Sequence, residues 1–240
     1  MPALKAISRS SRWPATPAQA IALQYRLRGR IRVGGRLGRV RLVGGADVAY
    51  DTGRELLYAA VLVYSVPAMN LIEVRTVRAP IRFPYVPGLL SFREVPALLR
   101  VIRRLRHRPD LLLCDAQGIA HPRGIGLASH LGLLAGLPTI GCAKSRLLGE
   151  HGAIGALPGD QVPLLHRGRR IGSVLRTRAR CRPLFVSPGH RIGFGASVLW
   201  VLRCCRGYRL PEPVRQADLL VGRLRRADAL PRRSGGAGSL

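Results

Sequence analysis

Apolar and polar positions alternate with two periods along this chain, and the change from one to the other marks its elements. The clearest case runs from Pro109 to Ser145, PDLLLCDAQGIAHPRGIGLASHLGLLAGLPTIGCAKS. The apolar run Leu111–Cys114 ends in a carboxylate, Asp115, and a loop containing Gly, His and Pro follows. A small-residue helix, Ile125 to Ala135, then leads to a second short strand, Thr139 to Ala143, and to Lys144. Strand, loop, helix, strand is the unit of a parallel sheet. In such sheets ligand-binding groups gather at the carboxyl ends of strands, where both Asp115 and Lys144 fall.

The same reading gives the other elements. Thr16 to Arg30 has the spacing of an amphipathic helix, with Thr16 as N-cap and Pro17 at its first position. Arg39 to Tyr50 alternates as a strand, interrupted by Gly44-Gly45, where a bulge or another backbone is expected. Leu56 to Ser65 and Leu71 to Val77 complete an antiparallel meander. Ser91 to His107 reads as a helix with a basic outer face, and Glu94 three residues after Ser91 fits a capping box. After the Gly-rich loop Gly149 to Gly159, strands are expected at Val162–Leu165, Arg170–Thr177 and Pro183–Val186. Helices are expected at Ser197–Tyr208 and Pro213–Arg226. The organisation is one domain over residues 15–228, with a basic extension at 1–14 and a disordered tail at 229–240.

Charge changes the picture more than composition does. The 40 Lys plus Arg against 12 Asp plus Glu give a net charge of +28 in 240 residues. That imbalance predicts a polyanionic partner, most often nucleic acid, although an arginine-rich genome inflates the count. Lys5 and Lys144 are the only lysines, so Lys144 keeps a compact ammonium where the chain otherwise uses the broad guanidinium fork. The 5 cysteines are odd in number and lack CxxC spacing; they read as reduced thiols of a cytoplasmic protein. No apolar run has membrane-spanning length.

Candidate chemistry follows from the acids. Asp47 is flanked by apolar residues, so it is expected to be paired or metal-bound. With Glu94 and Asp115 it makes a trio of carboxylates in an acid-poor chain, an oxygen-rich set suited to Mg²⁺ or Mn²⁺ rather than Zn²⁺. His190, in the SPGH segment after a strand, is a candidate ligand or proton donor. His121 lies in the loop after Asp115. Tyr85, held in the stiff segment RFPYVPG, is either a core ring in a rigid turn or an aromatic wedge against nucleobases.

These segments, taken in order, resemble endonuclease V, a family that nicks nucleic acid at deoxyinosine and, in some members, at inosine in RNA. The similar stretches are GGADVAY (44–50), PYVPGLLSFRE (84–94), the whole of 115–145, GSVLRTR (172–178), FVSPGHRI (185–192) and GYRLPEPVRQAD (207–218). The resemblance implies a ribonuclease H-like α/β fold, a central mixed sheet with helices on both faces. It places the family's three metal-binding carboxylates on Asp47, Glu94 and Asp115, its active-site lysine on Lys144, its active-site histidine on His190 and its wedge tyrosine on Tyr85. It further implies a pocket for a flipped base formed by Pro84, Gly88, Leu89, Gly118 and His121. The implied reaction is Mg²⁺-dependent hydrolysis, with Mn²⁺ able to substitute, of the second phosphodiester bond 3′ to the lesion, leaving 3′-hydroxyl and 5′-phosphate ends, as part of DNA repair. The segment after GHRI lacks the family's usual acids, which implies weaker capping of the next helix. A monomer acting on inosine-containing DNA or RNA is expected. The competing readings are a non-cleaving binding module of the same fold and a basic scaffold protein without a metal site.

Overall fold

A computed structural model describes residues 13–35 and 37–229. Its strands are β1 (Leu42–Asp51), β2 (Leu56–Ser65), β3 (Leu71–Pro80), β4 (Leu111–Cys114), β5 (Thr139–Ala143), β6 (Gln161–His166), β7 (Arg169–Leu175) and β8 (Leu184–His190). The helices are α1 (Pro17–Arg28), α2 (Leu90–Arg103), α3 (Leu127–Ala135), α4 (Phe194–Arg203) and α5 (Glu212–Ala229). All eight strands join one mixed sheet in the order β3-β2-β1-β4-β5-β8-β7-β6. The β1–β2–β3 meander is antiparallel, as its short connections require. β1, β4 and β5 run parallel at the centre, and β8, β7 and β6 return antiparallel.

Strand alternation divides the interior in two. Ala46, Leu112 and Cys114 pack with Val95, Leu98, Leu127 and Leu131 of α2 and α3. Val43, Leu111, Leu113, Ile140 and Cys142 pack on the opposite face with Val198 and Val201 of α4 and Val214, Ala217 and Val221 of α5. Helices therefore cover both faces of the sheet, the ribonuclease H-like arrangement that the resemblance implied. β2 is buried at all but its two end residues, which explains its nearly unbroken apolar run.

Local chemistry explains where the elements begin and end. Thr16 caps α1, its Oγ1 accepting from the N–H of Gln19 at 3.3 Å. α2 stops at Arg103 rather than His107, because the N–H groups of Arg106 and His107 turn to the buried carboxylate of Glu73. Glu94 is not a capping-box acid: Leu89 is the N-cap, and Ser91 instead hydrogen-bonds His130 at 3.0 Å. β3 runs on to Pro80, and β8 runs on to His190, which is a strand residue and not part of a turn. The basic extension and the tail fall almost wholly outside the described residues.

Gly44-Gly45 meets one of its two expectations. Pairing with β2 is regular through both glycines, so there is no bulge. A Cβ on Gly45 would instead lie 2.1 Å from the backbone of Pro213. The first turn of α5 rests directly on β1 at that point, and only glycine admits it.

Candidate active site

That contact sets the geometry of the acids. Gly45 and Asp47 point to the same face of β1, two residues or about 6.6 Å apart. From Pro213 to Asp218 is five residues of α5, a rise of about 7.5 Å. The two advances match, so a helix seated on Gly45 carries Asp218 to the level of Asp47. β1 pairs with β4 so that Ala46 stands beside Cys114, and the N–H of Asp115 donates to the carbonyl of Ala46 at 3.2 Å. Asp47 and Asp115 thus project side by side towards α5. Carboxylate oxygens of Asp47, Asp115 and Asp218 lie within 4.8 Å of one another. Lys144, one residue beyond β5 and on the same face, places Nζ 2.6 Å from Asp115 Oδ2 and 3.0 Å from Asp218 Oδ2.

The electrostatics of this cluster are strained towards neutrality. Burial first, and then the charge of Asp115, push the Asp47 carboxyl up to about 9. Burial also raises Asp115, against the lowering effect of Lys144. For Lys144, burial lowers the ammonium's affinity for its proton, but the hydrogen bond and charge of Asp115, followed by those of Asp218, outweigh it and raise its pKa. Were all three carboxyls ionised, the single ammonium would leave an excess of negative charge in a half-buried place, and the raised Asp47 and Asp115 express that strain. Small divalent cations bind oxygen donors at about 2.0–2.1 Å, so their ligand oxygens sit within about 4.2 Å of each other. The trio is close to that spacing, its donor set is all oxygen, and its charge calls for a cation. The residues fit a divalent metal site.

Glu94 comes from the other side. It projects from α2 on the face that carries Tyr50, whose hydroxyl donates to Glu94 Oε1 at 2.5 Å. Burial, opposed by that hydrogen bond and reinforced by the charge of Asp115, raises Glu94 to about 8. It therefore adjoins the cluster but is not in the mutually close trio. His190 is not brought to the cluster either. It pairs with Thr139 at the start of β5, whereas Phe185 pairs with Ala143 at its end. That separates His190 from the level of Lys144 by about 16 Å of strand, and its Nδ1 accepts from the N–H of Arg32 at 3.3 Å. Sequence reasoning had set His190 in the site and missed Asp218. The missed signal was the LPEPVRQAD segment, where an acid directly follows the buried position Ala217 on the helix face that packs on the sheet.

Beside the cluster lies an open cavity of about 150 Å³, lined among others by Tyr85, Gly88, Ser91, Gln117, His121 and Leu127. Tyr85 is 71% exposed, which decides against a core role. Three donors converge on the Gly88 carbonyl: Gln24 Nε2 at 3.0 Å, His121 Nε2 at 2.9 Å and Arg123 Nη2 at 2.8 Å. Arg123 also bonds the Gln24 side chain. The His121 Nδ1 accepts from the N–H of Arg123 at 3.2 Å, so the neutral ring carries its proton on Nε2; burial pulls its pKa down to about 4. Gly88 has a φ of 77°, and a Cβ there would strike Arg123. Leu89 is buried beneath the loop with Phe83 and Phe92, Gly118 is pressed against the Pro188 carbonyl, and Pro84 is exposed. Those three expected pocket residues do not line the cavity.

A mixed α/β sheet that gathers carboxylates and one lysine on a strongly basic chain defines a nuclease. The family model described as Endonuclease V matches residues 25–219, and the chain belongs to the endonuclease V family. It is 47% identical over 211 residues to the endonuclease V of Azotobacter vinelandii, covering 88% of this chain and 96% of that protein. The crystal structure of the Streptomyces avermitilis endonuclease V superposes with a TM-score of 0.85 at 42% identity, covering 90% of this chain and 96% of that one. A point variant of the Ciona intestinalis endonuclease V, solved with a 23mer DNA containing an inosine followed by a ribo-adenosine, superposes at 0.78 with 26% identity, over 88% and 97% of the two chains.

Proposed function

We propose that this protein is a Mg²⁺-dependent endonuclease of DNA repair that hydrolyses the second phosphodiester bond 3′ to deoxyinosine, leaving 3′-hydroxyl and 5′-phosphate ends. One observation carries the reading: the carboxylate trio with Lys144 adjoins an open cavity edged by an exposed tyrosine. A bound divalent ion would activate water and neutralise charge on the phosphate. Asp47, Asp115 and Asp218 would hold it, and Glu94 would contribute from the opposite face of the sheet. Lys144 would stabilise charge developing on the phosphate oxygens. Tyr85 would stand against the gap left by a flipped base, since exposed rings stack on nucleobases irrespective of sequence. A cavity of about 150 Å³ accepts a benzene-sized ring when closed, and this one is open on one side. The rigid Gly88 carbonyl and the neutral His121 would fix its wall. The reading carries with it a monomer working in the cytoplasm; among the described residues no helix is long and apolar enough to cross a membrane.

The test is nicking of a deoxyinosine duplex and its deoxyadenosine control by purified protein with Mg²⁺, Mn²⁺ or EDTA, with the product ends mapped. Lesion-dependent nicking that EDTA abolishes, and that Asp47→Ala and Asp115→Ala each lose, is expected. Lesion binding without cleavage in either metal would favour the non-cleaving module. A second substrate warrants the same assay, because the Ciona relative was crystallised on a strand with a ribonucleotide after its inosine. Faster cutting of inosine RNA than of the DNA duplex would reassign the protein as an endoribonuclease.

A further inference from the structure

At the end of the sheet remote from the carboxylates, a cavity of about 350 Å³ is lined by Gly29, Arg30, Arg32, Leu133, Gly136, His190 and Arg191. Its three guanidiniums are exposed, and among the described residues none has a carboxylate within ion-pair distance. His190 is only 5% exposed. With Nδ1 accepting from the Arg32 N–H, the neutral ring must carry its proton on Nε2. Among the described residues that Nε2 has no hydrogen-bond partner, and it is not among the buried atoms sealed from solvent. A nearly buried donor therefore opens into an arginine-lined cavity without an acceptor to meet it.

We propose that His190, Arg30, Arg32 and Arg191 form a second phosphate-binding site, distinct from the metal-binding end of the sheet. The backbone holds the site in place. The N–H of Arg191 donates to the Arg32 carbonyl at 2.7 Å, the N–H of Gly34 donates to the Ile192 carbonyl at 2.9 Å, and Val33 bridges Ile192. The carboxyl end of α3 also borders the cavity, but the carbonyls of Ala135 and Gly136 are taken by Arg108. The nearby acid, Asp110, is occupied by the N–H groups of Arg41 and Leu42. Guanidinium forks and a neutral imidazole N–H match phosphate oxygens without any counter-acid to displace. The local field agrees: burial, and then the charges of Arg191 and Arg32, hold His190 down at about 4. A bound phosphate favours the imidazolium and must raise it. The phosphate belongs either to a nucleic-acid backbone or to a small phosphorylated molecule, and the same measurement separates the two.

The experiment follows the histidine ring signals of EDTA-treated protein by NMR through a pH titration, with His190→Gln identifying the signal. Inorganic phosphate, an unmodified single-stranded oligonucleotide and chloride at matched ionic strength are the three additions. The His190 midpoint is expected to rise by about one pH unit with a phosphate ligand, and not with chloride. A rise with the oligonucleotide alone assigns the site to nucleic-acid backbone; a rise with inorganic phosphate as well assigns it to free phosphate groups. Calorimetry at pH 6 supplies a second reading. Arg32→Ala/Arg191→Asn, which respects the left-handed backbone at position 191, should weaken phosphate binding at least about tenfold, whereas Arg100→Ala/Arg103→Ala, with the same loss of charge, should not. No shift with either phosphate ligand, an equal shift with chloride, or equal weakening in the two double variants overturns the proposal.

Discussion

The ammonium of Lys144 lies 2.6 Å from Asp115 and 3.0 Å from Asp218, bridging a carboxylate at the end of a central strand to one on the last helix. Three nitrogen-bound protons on one small atom allow that bridge and leave a proton free for a third acceptor. Lys144→Arg keeps the charge but spreads it over a planar fork that cannot occupy the same space. Turnover is expected to fall by about 10², with the thermal midpoint little changed. Single-turnover cleavage beside a melting curve measures both, and an arginine variant of full activity would remove the argument.

Asp218 is the acid that sequence reasoning passed over. If it holds the metal with Asp47 and Asp115, Asp218→Asn should lower kcat by more than the roughly 10–100-fold loss typical of an outer-shell partner. The metal concentration for half-maximal rate should rise in parallel. A Mg²⁺ titration of initial rates reads both quantities; an unchanged metal requirement would return Asp218 to a partner of Lys144 only.

The crowding of acids makes a stability prediction whose sign is fixed. Asp47 rises from 3.8 to about 9 and Glu94 from 4.5 to about 8. Groups raised on folding bind more protons in the native state, so they stabilise it at low pH and that stability is lost as pH climbs towards the folded values. Carboxyls lowered on folding, such as Glu73, act at the acid end and are constant above about pH 6. In EDTA, the melting temperature should therefore fall from pH 6 to pH 9. Asp47→Asn should flatten the slope and raise the midpoint at pH 9 by roughly 2–4 °C, about 1 kcal/mol. Divalent metal should restore the wild type more at pH 9 than at pH 6, because its ligands must be deprotonated.

Gln24, on α1, is fully buried and reaches Gly88 across 64 residues of sequence. Gln24 does not itself line the cavity but bonds Gly88 in its wall, so its role is to position the loop that carries Tyr85. Gln24→Leu should destabilise the fold by about 1–2 kcal/mol and raise KM for a deoxyinosine strand while kcat holds. Tyr85→Ala should behave differently: stability within about 0.5 kcal/mol of the parent, with lesion preference reduced by the loss of a stacking contact of about 1–3 kcal/mol. Comparing KM, kcat and melting temperature for the two variants separates holding the loop from touching the substrate.

What could be read ahead of the structure follows the range of the interactions. β4, β5 and the Thr16 cap were legible because their signals lie within a few residues. The Gly44-Gly45 pair announced the approach of another backbone but not which one, since Pro213 lies more than 160 residues downstream. The Ser91–Glu94 spacing fitted a capping box, yet both side chains found tertiary partners, His130 and Tyr50, that no local pattern discloses. His190 looked like a turn residue because Pro188-Gly189 precedes it; pairing with β5 carried the strand through that dipeptide.

Because α5 brings Asp218 to the trio by lying on Gly45, the three carboxylates meet only after the chain has run through all eight strands from β1 to β8 and returned to β1. A nascent chain that has finished its sheet is still missing Asp218.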